Sequence, residues 1–247
     1  MAGRIELKYW VDWRQRELIL QRWRPYLEFA PYTNEHGIYP IMSLYYDSPS
    51  LAFYDEKLEG EKLRSKVRLR GYGYRWQELS PLFLEIKRKV SDRVIKYRRK
   101  YDTFHPDLFV PSTWDLAGGG AEAGVRAADV AQLELLVQRY RLRPAVQILY
   151  QREGYESPFF PSLRIAFDSQ LVALHPEQKV DASVFESRDH RLQRDTEYVF
   201  EIKSDGGLPR WVMDGIKAAQ VTQRAISKYC MGIEKLDMHH REIGVYA

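Results

Sequence analysis

Five short runs in this 247-residue chain place ionic side chains on one face of an alternating pattern. They are Glu6/Lys8, Lys66/Arg68/Arg70, Glu85/Lys87, Arg164/Asp168 and Glu201/Lys203. Each is interleaved with apolar residues: Ile5, Leu7 and Tyr9 in the first, Val67 and Leu69 in the second, Leu84 and Ile86 in the third. Successive side chains of a strand point to opposite faces, so each run predicts a strand with one apolar and one charged face. Three runs repeat one unit, Glu-apolar-Lys, as ELK, EIK and EIK. A solvated antiparallel sheet with cross-strand ion pairs accounts for any one run. Such a face ordinarily also carries Thr, Ser and Gln, and these runs carry few. A barrel with a charged interior accounts for the set better. Charges kept from water must be paired or neutralised by a ligand. An excess of Lys and Arg there calls for a polyanion, and Glu among them suits a divalent cation bridging that polyanion.

The remaining pattern supplies the elements that would hold these strands. Arg4 to Trp10 reads as the first strand, and Asp12 as the N-cap of a helix reaching about Glu28 with Leu18, Trp23 and Leu27 on its apolar side. Tyr39 to Asp47 reads as a second strand, followed by a short helical or turn segment, LAFYDEKLEG. A basic run, Val94 to Tyr101, would set Lys96, Arg98 and Lys100 on one face. Phe104 to Arg126 carries Pro106, Pro111 and Gly118-Gly119-Gly120 and reads as a mobile insertion. A helix from about Ala128 to Tyr140 follows, then strands Ala145–Glu153 and Leu163–Asp168, a polar connection His175–Thr196 and a strand Tyr198–Ser204. Two short helices, Pro209–Val221 and Arg224–Leu236, close the pattern.

Composition narrows the function classes. Apolar content of 45% is enough for a substantial core, and 17 Tyr with 10 Phe favour strands. The net charge of +4 is compatible with an anionic ligand without establishing one. A single cysteine, Cys230, excludes an internal disulfide framework and fits a reducing compartment, with a structural thiol as its expected role. MAGRIELKYWVDWRQ has no apolar leader core, and no run approaches the roughly 18 apolar residues of a membrane span, so a soluble cytoplasmic protein is the expectation. His36, His105, His175, His190, His239 and His240 lack zinc-ligand spacing and read as surface or loop residues. Gly71-Tyr72-Gly73 lacks the Gly-Lys-Ser/Thr ending of a phosphate-binding loop, no Ser sits in a nucleophile elbow, and no nucleic-acid motif is present.

These residues resemble a known family. IELKYWV (5–11), SLYYDSPSLAFYDEKLEG (43–60), KVRLRGYG (66–73), FLEIKRK (83–89), LRIAFD (163–168), YVFEIKSDG (198–206) and ISKYC (226–230) are similar, in order, to the VTC (vacuolar transporter chaperone) domain. That domain is the polyphosphate-polymerase branch of the CYTH, or triphosphate tunnel metalloenzyme, superfamily. The resemblance implies an α+β fold over residues 1–247: a single domain built as an antiparallel β-barrel tunnel of about eight strands with surrounding helices. It implies a metal-dependent transferase that moves the γ-phosphoryl group of ATP to a polyphosphate chain, with Mn²⁺ or Mg²⁺ as cofactor. By motif match, Lys8, Arg68, Arg70, Lys87, Arg164 and Lys228 are the phosphate-handling catalytic residues and Glu201 is the metal ligand. Lys66 and Lys203 join them as substrate-binding residues by alternation, with Lys96 and Arg98 as further additions.

One departure bears on the reaction. Hydrolytic members of the superfamily carry Glu-x-Glu-x-Lys in the first strand, and here the matching positions are Arg4, Glu6 and Lys8. Fewer carboxylates weaken the support for a second, water-activating metal, which favours transfer over hydrolysis. An inorganic or organic triphosphatase in the same tunnel, and a non-catalytic polyphosphate- or nucleotide-binding module, are the alternative readings. The expected partners are ATP and polyphosphate, without nucleic acid or membrane insertion. Neither an SPX-like segment nor a membrane helix is visible, so regulation or membrane coupling would come from an unknown partner.

Overall fold

Alternation becomes sheet throughout. The computed structural model describes residues 4–91, 93–117 and 126–236. Nine strands appear: β1 (Arg4–Asp12), β2 (Glu28–Phe29), β3 (Ile38–Asp47), β4 (Leu63–Gly71), β5 (Leu82–Val90), β6 (Arg93–Tyr101), β7 (Arg143–Glu156), β8 (Arg164–Leu174) and β9 (Glu197–Asp205). Five helices accompany them: α1 (Trp13–Trp23), α2 (Ala52–Leu58), α3 (Ala127–Arg139), α4 (Arg210–Ala218) and α5 (Lys228–Lys235). The strands form one sheet in the order β1-β9-β8-β7-β3-β4-β5-β6, with β2 paired to β7. The β1–β9, β8–β9, β2–β7, β3–β4, β4–β5 and β5–β6 ladders are all antiparallel. The fold is therefore α+β, with a large antiparallel sheet and five helices. Among the described residues, no helix is long and apolar enough to cross a membrane.

The chain gathers into two compact units. The first comprises Met1–Pro40, Tyr150–Leu171 and Gln193–Ser227. Its apolar sheet face carries Tyr9, Val11, Phe167, Phe200 and Ile202, all buried. Phe200 stacks on Phe167 at 4.7 Å and on Tyr9 at 5.3 Å. Helices α1 and α4 belong to the same core through Ile19, Leu20, Trp23, Val212 and Ile216. Asp12 starts α1 with a capping box: its carboxylate accepts from the Gln15 amide at 2.8 Å, and the Gln15 side chain accepts from the Asp12 amide at 3.0 Å. The helix stops at Trp23 and not near Glu28, because Pro25 lacks the N–H needed to continue it and a 3₁₀ turn, Arg24–Tyr26, takes over. Close packing of α1 on α4 depends on Gly215, where a Cβ would stand 2.1 Å from Trp23 Nε1.

The second unit comprises Ile41–Leu149, Val172–Leu192 and Lys228–Ala247. Its core joins Met42, Leu44 and Tyr46 of β3 to Val67, Leu69, Leu84, Ile86, Ile95 and Tyr97, with Leu133 and Leu136 from α3. Removing such side chains from water contributes roughly 1.5–3 kcal/mol each. The segment read as a mobile insertion is, over residues 104–117, packed on this core. Leu108 and Leu116 are buried, and Trp114 meets Tyr46 edge-on at 4.8 Å. The triple glycine lies outside the described residues, as do His239 and His240. The last helix starts at Lys228, four residues after the expected Arg224.

Candidate functional site

Two charged sheet faces, one in each unit, hold the residues singled out by spacing. In the second unit, register sets the charges in rows across β4, β5 and β6. Lys66 pairs with Lys87 and Lys87 with Lys96. Arg68 pairs with Glu85 and Glu85 with Arg98; Arg70 pairs with Phe83 and Phe83 with Lys100. A fourth row, Arg64–Lys89–Val94, lies on the same face by parity. These four rows contain nine cations and one carboxylate. Like charges directly opposite one another repel, so a row of three lysines is costly without an anion to bind.

The single carboxylate is shared. Arg68 Nε donates to Glu85 at 2.6 Å, and Arg98 Nε lies 3.4 Å from the other Glu85 oxygen. Burial pushes the Glu85 carboxyl up, but Arg68, Arg70 and Arg98 outweigh it and hold the group below its ordinary value. Arg70 Nε is buried and has no hydrogen-bond partner among the described residues, and its guanidinium stands 5.3 Å from the Tyr72 ring centre. A half-buried guanidinium with this donor unused can donate to an oxygen from elsewhere.

Tyr45 of β3 continues the Arg68 row. It is 4% exposed, and its hydroxyl accepts from Arg68 Nη1 at 3.2 Å. The Lys66 ammonium stands 5.7 Å from its ring centre. Burial pushes the Tyr45 phenol up, but Arg68, Lys66 and Lys228 bring it down to about 8. Its ring meets Tyr229 at 5.3 Å. Tyr229 donates its hydroxyl to Asp47, which also accepts from the amides of Phe53 and Tyr54 at 2.9 and 3.0 Å. Asp47 is fully buried. It thereby ties the start of α5 to β3 and α2, and this fixes Lys228, the first residue of α5.

The first unit carries a different face. Lys8 lies opposite Glu201 and Glu6 opposite Lys203 on the β1–β9 ladder. Lys8 Nζ is 3.2 Å from Glu6 and 3.6 Å from Glu201; Lys203 Nζ is 3.0 Å from Glu201. The third cation on Glu201 is Arg152 of β7, at 3.3 Å. Arg152 also clasps Asp168 with two bonds, at 2.6 and 2.8 Å, where Asp168 is wholly buried. Burial acts to lower the Arg152 pKa, but Asp168 and Glu201 raise it well above its ordinary value. Lys203 is lowered, burial outweighing the pull of Glu201. Three cations therefore balance three carboxylates here, where the other face is strongly basic. Arg164 lies opposite Lys203 by register, but its exposed guanidinium turns to Glu156 at 3.5 Å.

The structure thus brings Lys66, Arg68, Arg70, Lys87, Lys96 and Arg98 onto one face, and Lys8, Lys203 and Glu201 onto another. Lys87 and Lys96 are the exposed members of their row. Spacing alone missed Arg152, Tyr45, Arg64 and Lys89. The last two continue the alternation of β4 and β5 by one step and were readable from it. Among the described residues, no group of three His, Cys, Asp or Glu side chains forms a metal cluster.

A family model described as the VTC domain matches residues 3–237. The chain is 23% identical over 200 residues to the Vacuolar transporter chaperone complex subunit 4 of Trypanosoma brucei brucei (strain 927/4 GUTat10.1). That match covers 68% of this chain and 25% of the relative, so the chain spans about a quarter of the relative's length. Among solved structures, the PH1819 protein from Pyrococcus horikoshii OT3 aligns over 95% of this chain and 98% of its own, at a TM-score of 0.46 and 14% identity. With a family model matching nearly its whole length, the chain belongs to the VTC domain family.

Proposed function

We propose that the protein is a polyphosphate polymerase that transfers the γ-phosphoryl group of ATP to the end of a polyphosphate chain with the help of a divalent metal. The observation that carries this reading is the β4–β5–β6 face, with nine cations, one carboxylate and an unpartnered buried Arg70 donor. Donor and acceptor are both polyanions, and their mutual repulsion is the first barrier to transfer. A row of lysines and a pair of arginine forks lowers it. In the reaction, a terminal oxygen of the chain forms a bond to the γ-phosphorus as the bond to the β–γ bridging oxygen breaks, and ADP leaves. Phosphoryl transfer asks little covalent work of a protein, and positioning with charge stabilisation suffices. In this reading Arg68 and Arg70 grip phosphate oxygens, with Lys66, Lys87, Lys96 and Arg98 extending the contact. Lys228 adds charge within the same unit, Lys8, Lys203 and Arg164 are the cations of the first unit's face, and no side chain acts as nucleophile.

The carboxylates suit a metal only in part. Glu201 and Glu6 offer hard oxygen ligands of the kind Mg²⁺ and Mn²⁺ take. They are too few to hold an ion alone, and Glu201 is already neutralised by Lys8, Lys203 and Arg152. The residues therefore fit a metal that arrives with phosphates, which complete its shell. Such an ion would neutralise charge on the transferring phosphates.

Incubation of the pure protein with ATP and Mn²⁺, followed by product analysis, tests the proposal. Long phosphate chains with stoichiometric ADP are expected. Orthophosphate without chains would make the protein a triphosphatase, and intact ATP despite binding would make it a binding module. Either result overturns the polymerase reading.

A further inference from the structure

The β7–β8 hairpin carries a feature that neither charged face uses. Its turn reads Ser157-Pro-Phe-Phe-Pro-Ser162, and residues 158–162 are all exposed, Phe159 at 65% and Phe160 at 41%. These two rings belong to a larger cluster. Tyr26 stacks on Trp211 of α4 at 4.7 Å and 9°, Phe159 meets Tyr26 edge-on at 6.5 Å, and Phe160 lies 6.4 Å from Trp211. Exposed aromatic surface drawn from three separate segments is a mark of an interaction site, where scattered single residues would not be.

The surroundings point to the kind of partner. Arg24 and Arg210 flank the cluster two residues and one residue from Tyr26 and Trp211, and both are exposed. Arg210 makes a long ion pair with Asp214 at 3.7 Å, and among the described residues Arg24 makes none. The turn is partly closed by its own backbone. Phe160 and Leu163 donate their amides to Ser157 and Phe160 at 3.3 and 2.8 Å, and Pro158 and Pro161 have no amide to satisfy. Two copies set face to face would oppose Arg24 and Arg210 with their like charges. Aromatic rings at headgroup depth, with arginines reaching anionic headgroups, match this surface.

We propose that this aromatic face docks the protein on an anionic lipid bilayer, Phe159 and Phe160 entering the interface and Arg24 and Arg210 contacting the headgroups. The docking is peripheral and independent of the phosphoryl-transfer reading.

Flotation of the purified protein with vesicles tests it. Binding to mixed phosphatidylcholine–phosphatidylglycerol vesicles is expected to exceed binding to phosphatidylcholine alone, and to weaken with salt. Each of Phe159→Ser and Phe160→Ser should weaken partitioning about tenfold, and the pair about a hundredfold, as lost apolar burial. Phe159→Trp should retain binding and show blue-shifted emission with anionic vesicles. An unchanged thermal midpoint in each variant separates lost docking from lost folding. No flotation of the wild-type protein with anionic vesicles overturns the proposal, as does undiminished binding by the double serine variant. A concentration-dependent dimer that the double variant dissolves would assign the face to a second copy and equally overturn it.

Discussion

Tyr45 offers the sharpest test of whether the basic face receives an anion. Its phenol sits at about 8 against an ordinary 10.0, because Arg68, Lys66 and Lys228 outweigh the burial that pushes it up. Two units correspond to about 3 kcal/mol favouring the phenolate. A polyanion on this face would neutralise those cations and leave burial in command, so the Tyr45 pKa should climb by about two units or more. Linkage makes the effect reciprocal: polyphosphate affinity should fall about tenfold per pH unit above 8, up to about a hundredfold. The ionisation can be followed by the near-ultraviolet absorbance of tyrosinate. Tyr9, Tyr46, Tyr54, Tyr97, Tyr101, Tyr155 and Tyr229 are all raised, so none of them competes in this window. One tyrosine should ionise near pH 8 in the free protein, vanish from that window with polyphosphate bound, and be missing in Tyr45→Phe. The sign for stability follows from the same depression. The unfolded chain holds the proton more tightly, so stability rises as pH climbs from about 8 towards 10 and is lost as pH falls through 8. The lowered Lys203 acts in the same direction, and its share persists in Tyr45→Phe. If no tyrosine ionises below pH 9, or if Tyr45→Phe keeps the low-pH transition, the electrostatic account of this face is wrong.

Four further substitutions probe the packing and the charged faces. Asp168→Asn leaves the buried Arg152 without its two-bonded carboxylate and should cost about 3–5 kcal/mol in urea unfolding; a loss under about 1 kcal/mol would show that the pair is dispensable. Gly215→Ala drives a methyl into the Trp23 indole, 2.1 Å from Nε1 as built, and should cost about 1–3 kcal/mol, read as a lowered thermal midpoint. In the transfer assay, Glu201→Gln should abolish turnover with the fold intact, whereas Arg68→Ala should chiefly raise the ATP concentration needed; full activity in the first or an unchanged affinity in the second would remove that residue from the site.

Much of the sheet was legible because its code is local. A period of two needs only neighbours in sequence, and the parity of Lys66, Arg68 and Arg70 against Val67 and Leu69 survives intact in the burial of β4. Arg152 shows where that code ends. In Tyr150-Gln-Arg-Glu153 adjacent charges fall on opposite faces, so no Glu-x-Lys unit marks it. Its partners, Asp168 and Glu201, stand 16 and 49 positions away and are chosen by strand order. Tyr45 and Tyr46 are alike as strand formers, yet one step of the pleat sends Tyr46 to a hydrogen bond with the Leu108 carbonyl and Tyr45 to the cations. Net charge hid the most consequential contrast of all. The face of β4, β5 and β6 has an excess of eight positive charges, while the whole chain carries +4. Every other part of the chain taken together is therefore net acidic. A mildly basic protein thus acquires a strongly basic face because cross-strand register concentrates like charges that composition averages away.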